Sequence, residues 1–258
     1  MAWSEHQHRM LRAMGLRLWS PPLSEGAAAE SVPAPPPAAP VAPVKIAAPA
    51  KAPAAAPIGV PVPAGLAWPE LREAVAACRA CSLCESRTQT VFGVGHERAH
   101  WLVVGEAPGE QEDLAGEPFV GASGQLLDRM LAALSLTRST EGDAGPERRV
   151  YIANTLKCRP PRNRNPAPEE LSKCEPFLQR QIELLQPRII LAMGRFAVQT
   201  LLRSDAPVGK LRGRVHRYHG VPLVVTYHPA YLLRSLPEKA RAWEDLCLAA
   251  DTVEAAGT

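Results

Sequence analysis

The sequence predicts an α/β domain, with a parallel sheet covered by helices on both faces, carried behind a long Ala/Pro-rich extension. Three observations predict it. Short runs rich in Val, Ile and Leu, at 101–104, 150–153, 189–192 and 223–226, have strand length. Segments of helical periodicity alternate with them, the pattern of parallel strands joined by crossover helices. The 27 prolines, about twice the usual share, are densest between residues 21 and 66, where they block helices and sheet ladders alike.

Taken in order, residues 1–20 form a short amphipathic segment, with Leu11, Met14, Leu18 and Trp19 on one side and Gly15 interrupting it. Residues 21–66 read as a disordered linker, since Ala and Pro supply little apolar area to bury. The globular part is expected over 67–258. Its first helix starts at Pro69-Glu70 and runs into Cys78. A second spans SGQLLDRMLAAL, with Leu127, Met130 and Leu134 on one face. A third is predicted over 175–185, with Pro176 in its first turn, and a fourth over 195–202. His216 and His219 fall in a charged segment read as a solvated turn.

The loop after each strand is chemically unusual: GEAPGEQED after the first, then NTLKCRPPRNRNP, then GRF, then YHPAYLLR. Ligands of open α/β sheets bind at the carboxyl ends of the strands, so these loops are expected to meet at one crevice.

The formal net charge is +3 and the pI about 8.6, which permits a nucleic-acid partner without demanding one. No apolar leader is seen at the start, and no stretch approaches the roughly 18 apolar residues that span a bilayer. The expectation is a cytoplasmic protein with no membrane partner. There, six cysteines read as metal ligands or reactive thiols before disulfides. Cys78, Cys81 and Cys84 form C-x2-C-x2-C, and Cys158 and Cys174 form a second pair. Four thiolates can hold zinc or an iron–sulfur cluster, and spacing alone does not choose between them.

Together the loops resemble the family-4 uracil-DNA glycosylases, the iron–sulfur branch of the uracil-DNA glycosylase superfamily. The resemblance runs from about Cys78 to Trp243. It rests on C-x2-C, RTQTVFGVG, GEAPGEQEDLAGEPFVGASGQLLDRML, NTLKCRPPRNRNP, Cys174, QIELLQPRIILAMG and HPAYLLR, in that order. It implies a three-layer sandwich around a four-stranded parallel sheet, and a [4Fe–4S] cluster on Cys78, Cys81, Cys158 and Cys174. Cys84 departs from the pattern and is read as a spare thiol able to exchange with Cys81. Cys247 is read as a core residue.

The implied reaction is hydrolysis of the N-glycosidic bond of deoxyuridine in DNA, releasing uracil and leaving an abasic site. Such an enzyme must take the nucleotide out of the stack and read it in a pocket. Phe119 is the expected platform for the base. Asn154 can donate to O4 and accept from N3–H, a pattern cytosine does not match. His228 can donate to O2 as charge develops on the leaving uracil. Glu106 is the candidate for positioning water beside an oxocarbenium-like sugar. Other branches of the superfamily carry Asp or Asn where this chain has Ala107. By resemblance, Glu112 would stand beside uracil C5 and exclude the thymine methyl, while Glu110 is read as solvated.

Lys157, Arg159, Arg162, Arg164, Lys210, Arg212, Arg214 and Arg234 are candidates for DNA phosphates. Ser123, in the GASG turn, adds backbone N–H groups. Tyr231, Leu232 and Leu233 are the expected apolar wedge that fills the vacated stack. The expected partners are uracil-containing DNA and, through residues 3–19, a replication or repair protein, with the chain itself a monomer. Two rivals remain. A superfamily relative that traps abasic DNA covalently uses a His in the loop after the second strand, and KCRPPRNRNPAPEE has none. A non-catalytic iron–sulfur DNA-binding protein would leave the uracil-pocket residues without a purpose.

Overall fold

The computed structural model describes residues 65–255; the expected amphipathic segment and nearly all of the linker lie outside the described residues. Helix α1 (Trp68–Ala77) starts with Pro69 in its first turn and ends at Cys78, whose extended backbone turns the chain away. A single turn, α2 (Leu83–Ser86), comes next, then a two-residue strand, β1 (Val94–Gly95).

The predicted apolar runs become β2 (Trp101–Gly105), β3 (Val150–Asn154), β4 (Ile189–Met193) and β6 (Val221–Thr226). Every residue of β2, β3 and β4 is buried, as expected of strands covered on both faces. Between them lie α3 (Glu110–Ala115), α4 (Ala122–Ala133), α5 (Pro168–Leu185), α6 (Arg195–Leu202) and α7 (Val208–Leu211). Strand β5 (Val215–Tyr218) precedes β6, and α8 (Pro229–Leu232) and α9 (Glu238–Ala255) complete the described residues.

The sheet corrects the four-stranded expectation. It is a mixed sheet of six strands in the order β1-β3-β2-β4-β6-β5. The inner pairs run parallel, with Gly105 beside Asn154 and Met193 beside Thr226, while β1 and β5 join the edges antiparallel. Both edges escaped detection for a physical reason. β1 has only two residues, one of them Gly, and β5 reads Val-His-Arg-Tyr with only Tyr218 buried. His216 therefore sits in a strand, half-buried, with its ring Nε2 2.7 Å from the Leu211 carbonyl oxygen, rather than in a solvated turn.

Alternation along the strands splits the core in two. Trp101, Val103, Ile152, Leu191 and Val224 pack with Leu127 and Met130 of α4 and Trp243 and Leu246 of α9. Leu102, Val104, Tyr151, Ile190 and Val225 pack with Leu178 and Ile182 of α5 and Val198 and Leu201 of α6. The third predicted helix starts seven residues earlier than expected. Pro168 occupies its first turn and the Glu170 carboxylate accepts the Ala167 N–H at 2.8 Å, so Pro176 lies inside the helix. The lost N–H of Pro176 is tolerated within a helix buried against the sheet, and Cys174 is thereby a helical residue. Among the described residues no helix is long and apolar enough to cross a membrane.

Candidate active site and cysteine cavity

The carboxyl ends of β2, β3 and β6 open onto one cavity of about 250 Å³. Its walls include Glu106, Glu112, Phe119, Ser123, Asn154 and His228, which the sequence placed in the site, together with Pro160, Asn163 and Arg164. Asn163 was missed, although Arg162 and Asn163 adopt successive left-handed conformations that an Asn favours.

The platform is held by tight backbone packing. Phe119 has φ 57°, and a Cβ on Gly124 would lie 1.8 Å from its carbonyl oxygen, so the first turn of α4 can rest on it only as glycine. Gly105 is similarly bare: a Cβ there would meet Asn154 Oδ1 at 2.4 Å and Phe119 Cζ at 2.6 Å. Phe119 and His228 stack with ring centroids 5.3 Å apart.

Asn154 is 2% exposed, and its Oδ1 finds no hydrogen-bond partner among the described residues. A buried amide oxygen left unpaired is costly, which marks a place where a donor from a ligand belongs. The Glu112 carboxylate instead accepts three backbone N–H groups, Gly109 at 3.0 Å, Val120 at 3.1 Å and Gly121 at 3.4 Å. It ties the start of α3 to the segment that carries Phe119, while still lining the cavity.

His228 begins α8, and its Nδ1 accepts the Ala230 N–H at 3.2 Å. In the neutral ring the hydrogen therefore lies on Nε2. Burial, reinforced by the Arg234 charge and opposed by Glu112, drives its pKa down to about 4, so it is neutral at pH 7. Glu106 moves the other way. Burial pushes its carboxyl up to about 6. Its backbone oxygen accepts the Leu156 N–H at 3.1 Å and the Thr155 hydroxyl at 2.5 Å.

Several candidate DNA contacts are placed differently from the sequence reading. Leu232 is fully buried in the core because the turn of α8 rotates it inward, whereas Tyr231 and Leu233 are 39% and 43% exposed. Leu236, 55% exposed nearby, was missed. Arg234 is exposed, as are Arg162, Lys210 and Arg214. Arg212 is engaged by Asp245 and Glu244. Arg164 forks onto Glu170 at 2.9 and 2.6 Å. Arg159 faces Glu110 at 3.5 Å, and Glu110 is exposed, as the solvated reading expects. Lys157 is buried, with Nζ donating to the Asn154 carbonyl at 2.9 Å and to Gln181 Oε1 at 2.7 Å.

A second, smaller cavity is lined by Cys78, Cys81, Cys84, Cys158 and Cys174, with Arg87, Lys157, Lys173 and Phe177. Arg87 donates to Cys158 Sγ at 3.0 Å, and the Lys157 N–H donates to Cys174 Sγ at 3.2 Å. Burial pushes the Cys174 thiol up to about 12 and raises those of Cys81 and Cys158, while it lowers Lys157 to about 8. Among the described residues no three or more His, Cys, Asp or Glu side chains are arranged to hold a single metal ion. A larger thiolate-held group fits the donor set. The thiols line one cavity, two N–H groups already point at sulfur, and the buried ammonium has only neutral oxygens as hydrogen-bond partners. Cys247 packs against the core at the sheet's other face.

Residues 92–247 match the model of the uracil DNA glycosylase superfamily. The chain is 43% identical over 167 residues to a type-4 uracil-DNA glycosylase of Archaeoglobus fulgidus, covering 62% of this chain and 79% of that one. It is 40% identical to the type-4 uracil-DNA glycosylase of Pyrobaculum aerophilum, covering 69% of this chain and 91% of that one. A type-5 uracil-DNA glycosylase of the same organism is 35% identical, over 54% of this chain and 64% of its own length. Of the four predicted loops, those after β2, β3 and β6 line this cavity, whereas Arg195 and Phe196 of the GRF loop line another. With the match extending across most of the folded domain, the chain belongs to the uracil-DNA glycosylase superfamily, in its type-4 branch.

Proposed function

We propose that the protein excises uracil from DNA by hydrolysing the bond between uracil N1 and the sugar C1′, leaving an abasic site for base excision repair. The observation that carries this is the buried Asn154 Oδ1, without a partner among the described residues, in the cavity that Phe119 and a neutral His228 also line.

The chain's own groups supply the steps. A flipped uracil stacks on Phe119, and the Asn154 amide pairs with its O4 and N3–H edge. As the C1′–N1 bond breaks, its electron pair moves into the uracil ring, and His228 Nε2–H donates to O2 where the charge collects. A neutral donor suits this role, because its interaction grows as negative charge develops. Glu106, ionised above about pH 6, faces the sugar cation and orients the water whose oxygen bonds C1′. The proton released by that water passes to the carboxylate. Glu112 braces the loop and stands at the C5 side of the base. Tyr231 and Leu233, with Leu236 beside them, take the place of the extruded base, and Arg234 and Ser123 meet backbone phosphates.

A [4Fe–4S] cluster on Cys78, Cys81, Cys158 and Cys174 completes the reading. When bound it would cross-link α1, the segment after β3 and α5 through thiolate–iron bonds, a structural contribution. The four thiols line one cavity, which Cys84 also lines. We further propose a monomer that acts in the cytoplasm and recruits a replication or repair partner through residues 3–19. Deleting residues 1–65 should leave excision from short oligonucleotides unchanged and weaken capture of such a partner.

The test is an oligonucleotide assay with U:G, U:A and single-stranded substrates. Strand cleavage only after alkali means a free abasic site and supports hydrolysis. A protein–DNA adduct that survives a denaturing gel supports the covalent relative instead, and no reaction on any substrate removes the glycosylase reading.

A further inference from the structure

The uracil cavity and the cysteine cavity share one short segment, Asn154–Cys158. Its first residue carries the amide that faces the base. Thr155 and Leu156 both donate to the Glu106 carbonyl, at 2.5 and 3.1 Å. Cys158 lines the other cavity. Lys157 joins the two ends. Its backbone N–H points at Cys174 Sγ, and its ammonium turns back to the Asn154 carbonyl at 2.9 Å. The ammonium is also held by Gln181 of α5 at 2.7 Å, and Gln181 donates in turn to the Phe92 carbonyl at 2.9 Å and the Tyr151 hydroxyl at 3.3 Å.

A fully buried lysine is unusual, because a charge taken from water must be compensated. Here the hydrogen-bond partners are neutral oxygens, the Asn154 carbonyl and the Gln181 side-chain amide. An apolar side chain of similar length would fill the space without that cost. The ammonium therefore does something packing does not: it fixes the backbone of Asn154 to the helix that carries Cys174.

We propose that Lys157 is a positioning residue for uracil reading, pinning Asn154 against α5, the helix that carries Cys174. The proposal rests on the glycosylase reading above. Lys157 does not reach the base. It acts through Asn154, and a displacement of about 1 Å in a positioned group is enough to cost on the order of a hundredfold in rate.

The test uses the full chain and the variants Lys157→Met and Gln181→Met, the second removing the ammonium's side-chain partner while leaving its bond to Asn154. Three quantities are read: single-turnover excision, inhibition by free uracil, and binding of abasic-site DNA. In Lys157→Met, excision should fall about tenfold or more and free uracil should inhibit correspondingly more weakly, with abasic-site binding within about twofold. Gln181→Met should show the same split at a fewfold size. The ratio of uracil inhibition to abasic-site binding decides the matter in whichever variant folds. An unchanged ratio overturns the proposal, including the case in which both affinities fall together through general loosening. Iron and sulfide content of the unmutated protein is measured separately. Its absence would remove the cluster but leave the link from Lys157 to Asn154 tested by the same ratio.

Discussion

The two cavities that flank the Asn154–Cys158 segment are built on opposite plans. The uracil cavity is the larger and is assembled from strand ends. It holds a buried amide oxygen with no partner among the described residues, a carboxyl pushed up to about 6 and an imidazole pushed down to about 4. The cysteine cavity is small and apolar between its thiols, and it is assembled from the end of α1, the middle of α5 and the segment after β3. In the first, the Asn154 amide oxygen is buried without a partner among the described residues, at a cost to stability. In the second, the sulfurs of Cys158 and Cys174 already accept N–H groups, the arrangement of an anchor. The difference teaches that, on the proposed function, chemistry and scaffolding would occupy adjoining compartments, joined by a segment of five residues whose two ends line different cavities.

The largest effect that would break this contrast lies in the anchor. Cys158→Ala should lose the cluster and most of the soluble protein, because three chain segments lose their cross-link. Cys84→Ala should leave the brown colour and the iron content intact, measured by visible absorption and iron analysis. A colourless protein with one zinc per chain would place the second cavity among single-ion sites instead.

Next comes the reactive cavity. His228→Ala should slow single-turnover excision by about a hundredfold or more, the usual scale for losing one donor to developing charge, with substrate binding much less affected. Asn154→Asp should abolish excision or loosen base choice, read by comparing uracil with cytosine substrates. If His228→Ala matches the unmutated rate, the leaving-group assignment is wrong.

A smaller effect tests the two opposed pKa values. On the proposed mechanism Glu106 works as its anion and His228 as its neutral form, so both require deprotonation. Glu106, at about 6, titrates first as pH falls, while His228 stays neutral down to about 4. The single-turnover rate should therefore fall below pH 6, to about a tenth of its plateau at pH 5. Glu106→Gln should be slow and flat over the same range, and an unshifted acid limb in that variant would move the titration to another group.

The smallest effect concerns the wedge. Leu233→Ala should reduce excision from duplex substrates a fewfold and spare single strands, since only the duplex leaves a gap to fill. Leu232→Ala should instead destabilise the fold by about 2–5 kcal/mol, as buried Leu truncations do, with little change in DNA affinity measured by titration.

Much of this was legible before the structure. The four long strands, the alternation with helices and the strand-end position of Glu106, Asn154 and His228 come from short-range pattern, because burial on both faces selects continuous apolar runs. Leu232 was not legible. It sits between an exposed Tyr231 and an exposed Leu233, and only the turn of α8 decides which of the three points inward. Asn163 was not legible either, since nothing local says which residue of the Arg-rich loop bends back to the cavity wall.

The sequence by itself determined the α/β class and three of the loops that meet at the crevice, because each is written in neighbouring residues and their spacing. Tertiary structure alone decided that the sheet has six strands and that Lys157, counted among the phosphate contacts, is instead the buried link between two cavities. The physical reason is the same in both cases. An edge strand exists only through the partner it pairs with, and a lysine is a surface charge or a buried strut according to what surrounds its ammonium. Both conditions are set by segments far away in the chain, Val94–Gly95 against β3 in the first case and Gln181 against Asn154 in the second.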